Sequence, residues 1–271
     1  MNLPRYIYYK WLQHRAINYA RLRRIELGSL IAEKLNFQVQ YGVFKGMYLA
    51  NSQTWGISDL GTKLLGMYEL EVVNAIHALI QNKKNVLFVD IGAAEGYFAI
   101  GFQLSGFIKK TICFEQNSDS RNLIKMNSIL NNVEKQIQIF SNVKKDLNFF
   151  KIIDYEKKKS DIDEVVFLCD IEGYEYELFF QSKIFDYIKG SFLVIEIHDA
   201  CNDVTAGLKE HLSKEFEIEE IRTTFRDTSK IIELEDFSDD DRSIIVSEGR
   251  SRRGRWWLLS PKPTKNPQIL Q

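Results

Sequence analysis

The chain has 271 residues, 45% of them hydrophobic, enough to bury one large core with a small extension. Thirty-six basic and 37 acidic residues nearly cancel, which removes any strong whole-molecule pull toward nucleic acid or another highly charged surface. The three cysteines, Cys113, Cys169 and Cys201, cannot all pair, and no run reaches the roughly 18 apolar residues of a membrane span or resembles a secretory leader, so a reducing, cytoplasmic setting is expected.

The first 25 residues carry Arg5, Lys10, Arg15, Arg21, Arg23 and Arg24 and no acid, interleaved with Tyr6, Tyr8, Tyr9, Trp11 and Leu12. Such a basic, aromatic arm could meet an anionic membrane surface or a charged acceptor, serve a homodimer, or lie as a solvated helix on its own domain. Residues 1–64 are read as this helical extension and an acceptor-side lid, to which the loop around Trp55 contributes. From 68 to 80, Val72, Val73, Ile76, Leu79 and Ile80 share one helical face leading into the first strand.

Short apolar runs then recur at 86–91 (VLFVDI), 111–115 (TICFE), 137–140 (IQIF), 165–171 (VVFLCDI) and 192–197 (FLVIEI). Between them lie amphipathic stretches at 120–133, where Leu123, Met126, Leu130 and Val133 make a stripe, and at 176–190. Continuously apolar strands need helices on both faces. FEIEEI (216–221) and RWWLLS (255–260) could close the sheet as a final pair, while DDDRSIIVSEGR between them is ambiguous. The expected fold is α/β: a Rossmann-like, doubly wound, mostly parallel seven-stranded sheet over residues 65–262, with an N-terminal helical extension and a frayed tail at 263–271.

The first strand ends in DIGAAEG, residues 90–96. In an open parallel sheet the ligand crevice lies beyond the carboxyl ends of the strands, and this turn would be its floor. Gly92 and Gly96 permit close backbone approach, and the small Ala94 stands where many such turns use a third glycine. A dinucleotide site would be free of acid, because its pyrophosphate sits on the helix N-terminus. Asp90 and Glu95 crowd that spot instead, which suits a ligand with a positive end, such as the sulfonium and ammonium of S-adenosylmethionine. Glu115, closing the second strand, could accept both ribose hydroxyls, a demand NAD shares. The plainer reading of Asp90 and Glu95 is a helix cap and first-turn acid.

The series VDIGAAEGYF, Glu115, FLCDIEGYEYELF and LVIEIHDA resembles the FkbM-type class I methyltransferases, over roughly residues 65–200. The D-x-E-G-x-E segment, here Asp170, Glu172, Gly173 and Glu175, is the most specific part of the likeness. The turn departs from the family pattern at Ala94 and Glu95, where an Asn and an apolar residue are common. The resemblance implies transfer of a methyl group from S-adenosylmethionine to a hydroxyl, often on a sugar or secondary metabolite. It implies that Asp90, Gly92 and Gly96 line the methionine end of the cofactor and that Glu115 holds the ribose, with Ala94, Glu95 and Asp170 also among the expected cofactor contacts. By the same likeness Ser141 or Asn142 approaches the adenine, and Glu69 closes over the cofactor.

Methyl transfer from a sulfonium is an in-line displacement, so the protein must chiefly align its reactants and help remove the hydroxyl proton. His198, with an ordinary pKa near 6.5, is the first choice of base, with Asp170 and Glu172 beside it, whereas Glu175 reads better as a cap. Asp170 and Asp199 could converge on a divalent ion, but no local ligand motif supports one, and no metal is expected. The expected partner is a carbohydrate or other small-molecule acceptor and not nucleic acid, since no NPPY-like segment ends the fourth strand. A nicotinamide-dependent oxidoreductase and a noncatalytic binding module remain the alternatives.

Overall fold

The structure, a computed structural model, describes residues 3–52, 57–141, 143, 149–198 and 202–263. Trp55, Asn142, Asp199 and Cys201 lie outside the described residues, as do the side chains of Arg5 and Tyr6.

A long helix, α1 (Leu3–Lys34), leads through a short one, α2 (Leu60–Leu64), and α3 (Leu70–Ile80) into the first strand. Then follow β1 (Val86–Ile91), α4 (Tyr97–Leu104), β2 (Ile108–Phe114), α5 (Ser118–Leu130), β3 (Ile137–Phe140), α6 (Phe149–Lys159) and β4 (Glu164–Cys169). The chain continues as α7 (Glu175–Phe179), α8 (Ser182–Ile188), β5 (Phe192–Glu196), α9 (Asn202–Leu212), β6 (Phe216–Arg222), α10 (Asp239–Ile245) and β7 (Arg255–Pro261). The strands form one seven-stranded sheet in the order β3-β2-β1-β4-β5-β7-β6, parallel except for β7, which runs antiparallel to both neighbours. This is the doubly wound arrangement expected from the sequence.

Both faces of the sheet are covered because successive side chains point opposite ways. Val86 and Phe88 of β1 join Leu27, Ile31, Val72, Ile76, Phe102 and Ile124 in one core. Leu87 and Val89 join Ile153, Phe179, Phe185, Leu208 and Leu212 in the other. The adjacent Trp256 and Trp257 divide between the same two cores, each fully buried.

The N-terminal extension divides at about Arg23. Its later turns bury Leu27, Ile31, Ala32 and Leu35 in the first core, and Arg23 donates two hydrogen bonds to the Asp241 carboxylate, at 2.9 and 2.7 Å. Earlier turns leave Tyr8, Tyr9, Trp11, Ile17, Tyr19 and Leu22 exposed around the whole helix, with Arg15 stacked over Trp11. The ambiguous DDDR segment is α10, whose N-cap Ser238 accepts from the Asp241 amide; its acids suit the positive end of a helix dipole. Among the described residues no helix is long and apolar enough to cross a membrane.

Two sequence expectations need correction. The stripe on α5 is turned: Leu123 is buried and Val133 follows it into the core, but Met126 and Leu130 are exposed. Asn127 and Asn131 take the inner positions because their amides bridge to backbone at Tyr48, Ala50 and Glu95. The helix expected at 176–190 is broken into α7 and α8, with extended Gln181 between them.

Candidate functional site

The strand order reverses between β1 and β4, and their carboxyl ends open onto a cavity of about 800 Å³. Its floor is the turn from β1 into α4, which includes Gly92, Ala94 and Glu95, and its walls include Tyr68, Tyr97, Glu115, Ser141, Asp170 and Glu172. Gly92 has φ +90°, and a Cβ there would stand 1.8 Å from the Asp170 carbonyl oxygen. The glycine is therefore required by contact between the two strand ends, whatever lies above it. Gly96, at φ +86°, caps α4, and its absent side chain makes room for Ile100 and Ile124.

Asp90 at the end of β1 is buried, and one of its carboxylate oxygens finds no hydrogen-bond partner. Burial, then the charges of Asp170 and Glu115, push its carboxyl well above the usual range. Asp170 Oδ1 is likewise buried and unpartnered, and burial pushes the Asp170 carboxyl up to about 6. Orphaned carboxylate oxygens are costly unless something positive or protic meets them. Glu115 is held differently: its two oxygens accept from the Ala94 and Asn117 amides, at 2.9 and 2.7 Å. Each oxygen retains a second lone pair for a diol.

The Asp90 strain gives a test. Asp90→Asn should raise the melting temperature of the ligand-free protein by several degrees, relief of about 1–2 kcal/mol at roughly 2 °C per kcal/mol for a chain of this size. A folded-state carboxyl pKa above its unfolded value means that the folded chain binds more protons. The penalty is therefore absent below the unfolded pKa of about 4 and grows as pH rises toward the folded pKa. Thermal scans from pH 4 upward should show the variant gaining on wild type; an unchanged difference would remove Asp90 as its source.

Of the residues assigned to the cofactor, Glu95 has an ion-pair partner of its own, and Glu69 and Gly96 are not among those lining the large cavity. Glu95 lines the cavity, but its carboxylate is ion-paired with Lys63 of α2, both side chains being 5% exposed or less. Its charge is thus already matched and leaves Asp90 as the turn's uncompensated acid. Glu69 does not line the large cavity. It is fully buried at the start of α3 with φ +43°, where its carboxylate meets the Arg250 guanidinium and its amide donates to Glu248. Tyr68 takes its place on the wall.

A second cavity of about 420 Å³ adjoins the first and shares Asp59, Tyr68, Asp170 and Glu172 with it. Glu196, His198, Glu248 and the arginines Arg250, Arg252, Arg253 and Arg255 complete much of its lining. His198 stands here rather than in the large cavity. Burial lowers its pKa, but the hydrogen bond to Glu175 and the charges of Glu175, Asp170 and Glu172 outweigh that and raise it. These acids make His198 hold its proton more firmly than a free histidine. Glu175, the first residue of α7, directs its carboxylate away from its own helix. Its Oε1 accepts from the Ile171 amide at 2.8 Å and faces His198 Nδ1 at 3.1 Å, fixing the turn through Glu172 and Gly173.

Lys63, Tyr68, Glu196 and Arg250 were missed by sequence reasoning. Glu196 alone left a trace, as an acid inside the apolar run FLVIEI.

No family model matches the sequence, and no curated protein matches it. Solved structures resemble the fold. A protein in the NADB-Rossmann superfamily from Streptococcus agalactiae aligns at TM-score 0.44 and 12% identity, over 69% of this chain and 67% of that one. A tRNA methyltransferase from B. subtilis gives 0.43 and 13%, over 70% and 64%. One from M. jannaschii gives 0.42 and 14%, over 71% and 50%. At such identities the likeness concerns architecture. The chain has a Rossmann-like, doubly wound α/β fold with one antiparallel strand, β7.

The exclusion of nucleic acid is withdrawn. Two of these similar structures are tRNA methyltransferases by name. The exclusion rested on the missing NPPY-like segment and on balanced charge, and balanced charge does not register a local cluster such as the four arginines between 250 and 255.

Proposed function

We propose that the protein is an S-adenosylmethionine-dependent O-methyltransferase. The observation that carries this reading is the pair of buried, unpartnered carboxylate oxygens on Asp90 and Asp170, at the floor of a cavity whose rim presents Glu115. A ligand with a cationic sulfur and ammonium at one end and a ribose at the other would complement these groups. A pyrophosphate would meet the Asp90 carboxylate instead of a helix terminus free of acid. The S-adenosylmethionine sulfonium supplies an activated methyl group. Gly92, Asp90 and Asp170 would position its methionine end, Glu115 its ribose, and Ser141 its adenine side.

The smaller cavity would take the acceptor, with Asp170 and Glu172 in the wall common to both spaces. There Asp170 and Glu172 can draw on the proton of a hydroxyl that His198 helps to orient. The FkbM-type resemblance of the Asp170–Glu175 segment supports a hydroxyl acceptor on a sugar or polysaccharide precursor.

Titration calorimetry tests the cofactor. Wild type should bind S-adenosylmethionine and not NADH, and Glu115→Ala should bind at least tenfold more weakly, since hydrogen bonds to a charged group contribute about 1.5–3 kcal/mol each. Binding of NADH alone, or of neither, would overturn the proposal.

A further inference from the structure

We infer that Asp170, Glu196 and His198 form a binding site for a divalent metal ion at the mouth of the smaller cavity. One donor atom from each of the three lies within 4.8 Å of the others. His198 Nε2 stands 3.6 Å from Asp170 Oδ1 and 3.7 Å from Glu196 Oε2, with Glu172 Oε2 at 3.4 Å on the open side. Ligand bonds of about 2.1 Å place neighbouring donor atoms roughly 3.0–3.4 Å apart. The two imidazole–carboxylate separations need to draw in by only a few tenths of an ångström.

The orientation of the imidazole is the independent observation. Its Nδ1 faces Glu175 Oε1, a fully buried carboxylate that also holds the Ile171 amide. A carboxylate behind the ring that accepts from Nδ1–H leaves Nε2 to bind a metal in exchange for its own proton, which is how metal-bound histidines are commonly held. Nε2 itself faces three carboxylate oxygens. Among the described residues Nε2 makes no hydrogen bond, and Asp170 Oδ1 is buried with no partner. A cation between them relieves all of these contacts together. Arg250 does not fill this role, because it approaches Glu196 through the other oxygen, Oε1.

The mixture of imidazole and carboxylates favours a first-row divalent ion such as Mn²⁺ over a purely oxygen-liganded one. Its position, sharing Asp170 with the large cavity, would let it hold an acceptor hydroxyl facing the methyl donor, a role that rests on the methyltransferase reading. Binding of the ion does not.

The probe is Mn²⁺ itself, followed by electron paramagnetic resonance on the intact chain without cofactor. Wild type should bind one ion and gain thermal stability from it. Glu196→Gln and His198→Asn should each weaken binding at least tenfold and lose the thermal gain. Because buried variants can misfold, Glu172→Gln, at a side chain 77% exposed, provides a folded comparison and should weaken binding by a smaller factor. Calorimetry with S-adenosylmethionine on the same sample separates the two ideas. Mn²⁺ binding without cofactor binding leaves the metal site standing and removes the methyltransferase. Cofactor binding with no Mn²⁺ site in wild type, or a site indifferent to Glu196→Gln and His198→Asn, overturns the metal site alone.

Discussion

Replacing Lys63 by Met should lower folding stability by about 3–5 kcal/mol, the usual result of stranding one member of a buried ion pair. Lys63 and Glu95 are 5% and 2% exposed, so water cannot take over the lost ammonium. The Lys63 ammonium also lies 4.7 Å from the Tyr68 ring centroid, a second contact that methionine replaces with an ordinary apolar one. At roughly 2 °C per kcal/mol the melting temperature should fall by about 6–10 °C. The double variant Lys63→Met/Glu95→Gln should recover most of this, because it removes the stranded charge as well as its partner. Urea denaturation of wild type, the single variants and the double variant closes the cycle. Equal losses in Lys63→Met and the double variant would mean that the pair is not coupled, and that the loss belongs to the packing of α2.

Gly92→Ala should be still more damaging. The new Cβ would lie 1.8 Å from the Asp170 carbonyl, a backbone atom at the end of a neighbouring strand that cannot swing aside. The left-handed φ of +90° adds strain of about 1–2 kcal/mol for a residue with a side chain. To fold, the variant must part β1 from β4 at the base of the cavity. Failure to fold, or a loss above about 4 kcal/mol accompanied by loss of cofactor binding, is the expected result. Gly96→Ala is the comparison. Its φ is similar, but its Cβ would meet only side-chain ends of Ile100 and Ile124, at 3.1 and 3.3 Å. It should remain folded and lose about 1–2 kcal/mol. A reversed order in urea titrations would place the constraint on α4 packing instead of the strand contact.

Strands β1 and β3 could be read from sequence to the residue: β1 is buried along its whole length, and β3, at the sheet edge with only Ile137 buried, kept its short β-branched and aromatic run. Asp90, Glu115 and Asp170 were legible for a related reason: an acid ending such a run falls at the carboxyl edge, where the crevice must be. The errors came from partners distant in sequence. Nothing local to Glu95 reveals that Lys63, 32 residues earlier, neutralises it. Nothing local to Glu69 reveals Arg250. The α5 stripe failed because Asn127 and Asn131 earn burial through hydrogen bonds to residues 48, 50 and 95, bonds that a periodicity argument reads simply as polarity. The His198 environment was hidden likewise, since its acids come from β5, the turn after β4 and α7.

The place of β7 within the sheet bears on how the chain is made. It lies between β5 and β6, and β6 pairs with no other strand. During synthesis the first five strands can assemble in parallel while Leu193–Glu196 presents an unpaired edge and Phe216–Arg222 has nowhere to dock. Both wait for residues 255–261 to leave the ribosome, and with them the two tryptophans that join the opposite cores. An exposed edge awaiting a late strand is open to association with other chains. Expression yield should therefore depend sharply on substitutions in this one segment, well beyond their effect on the stability of the finished protein.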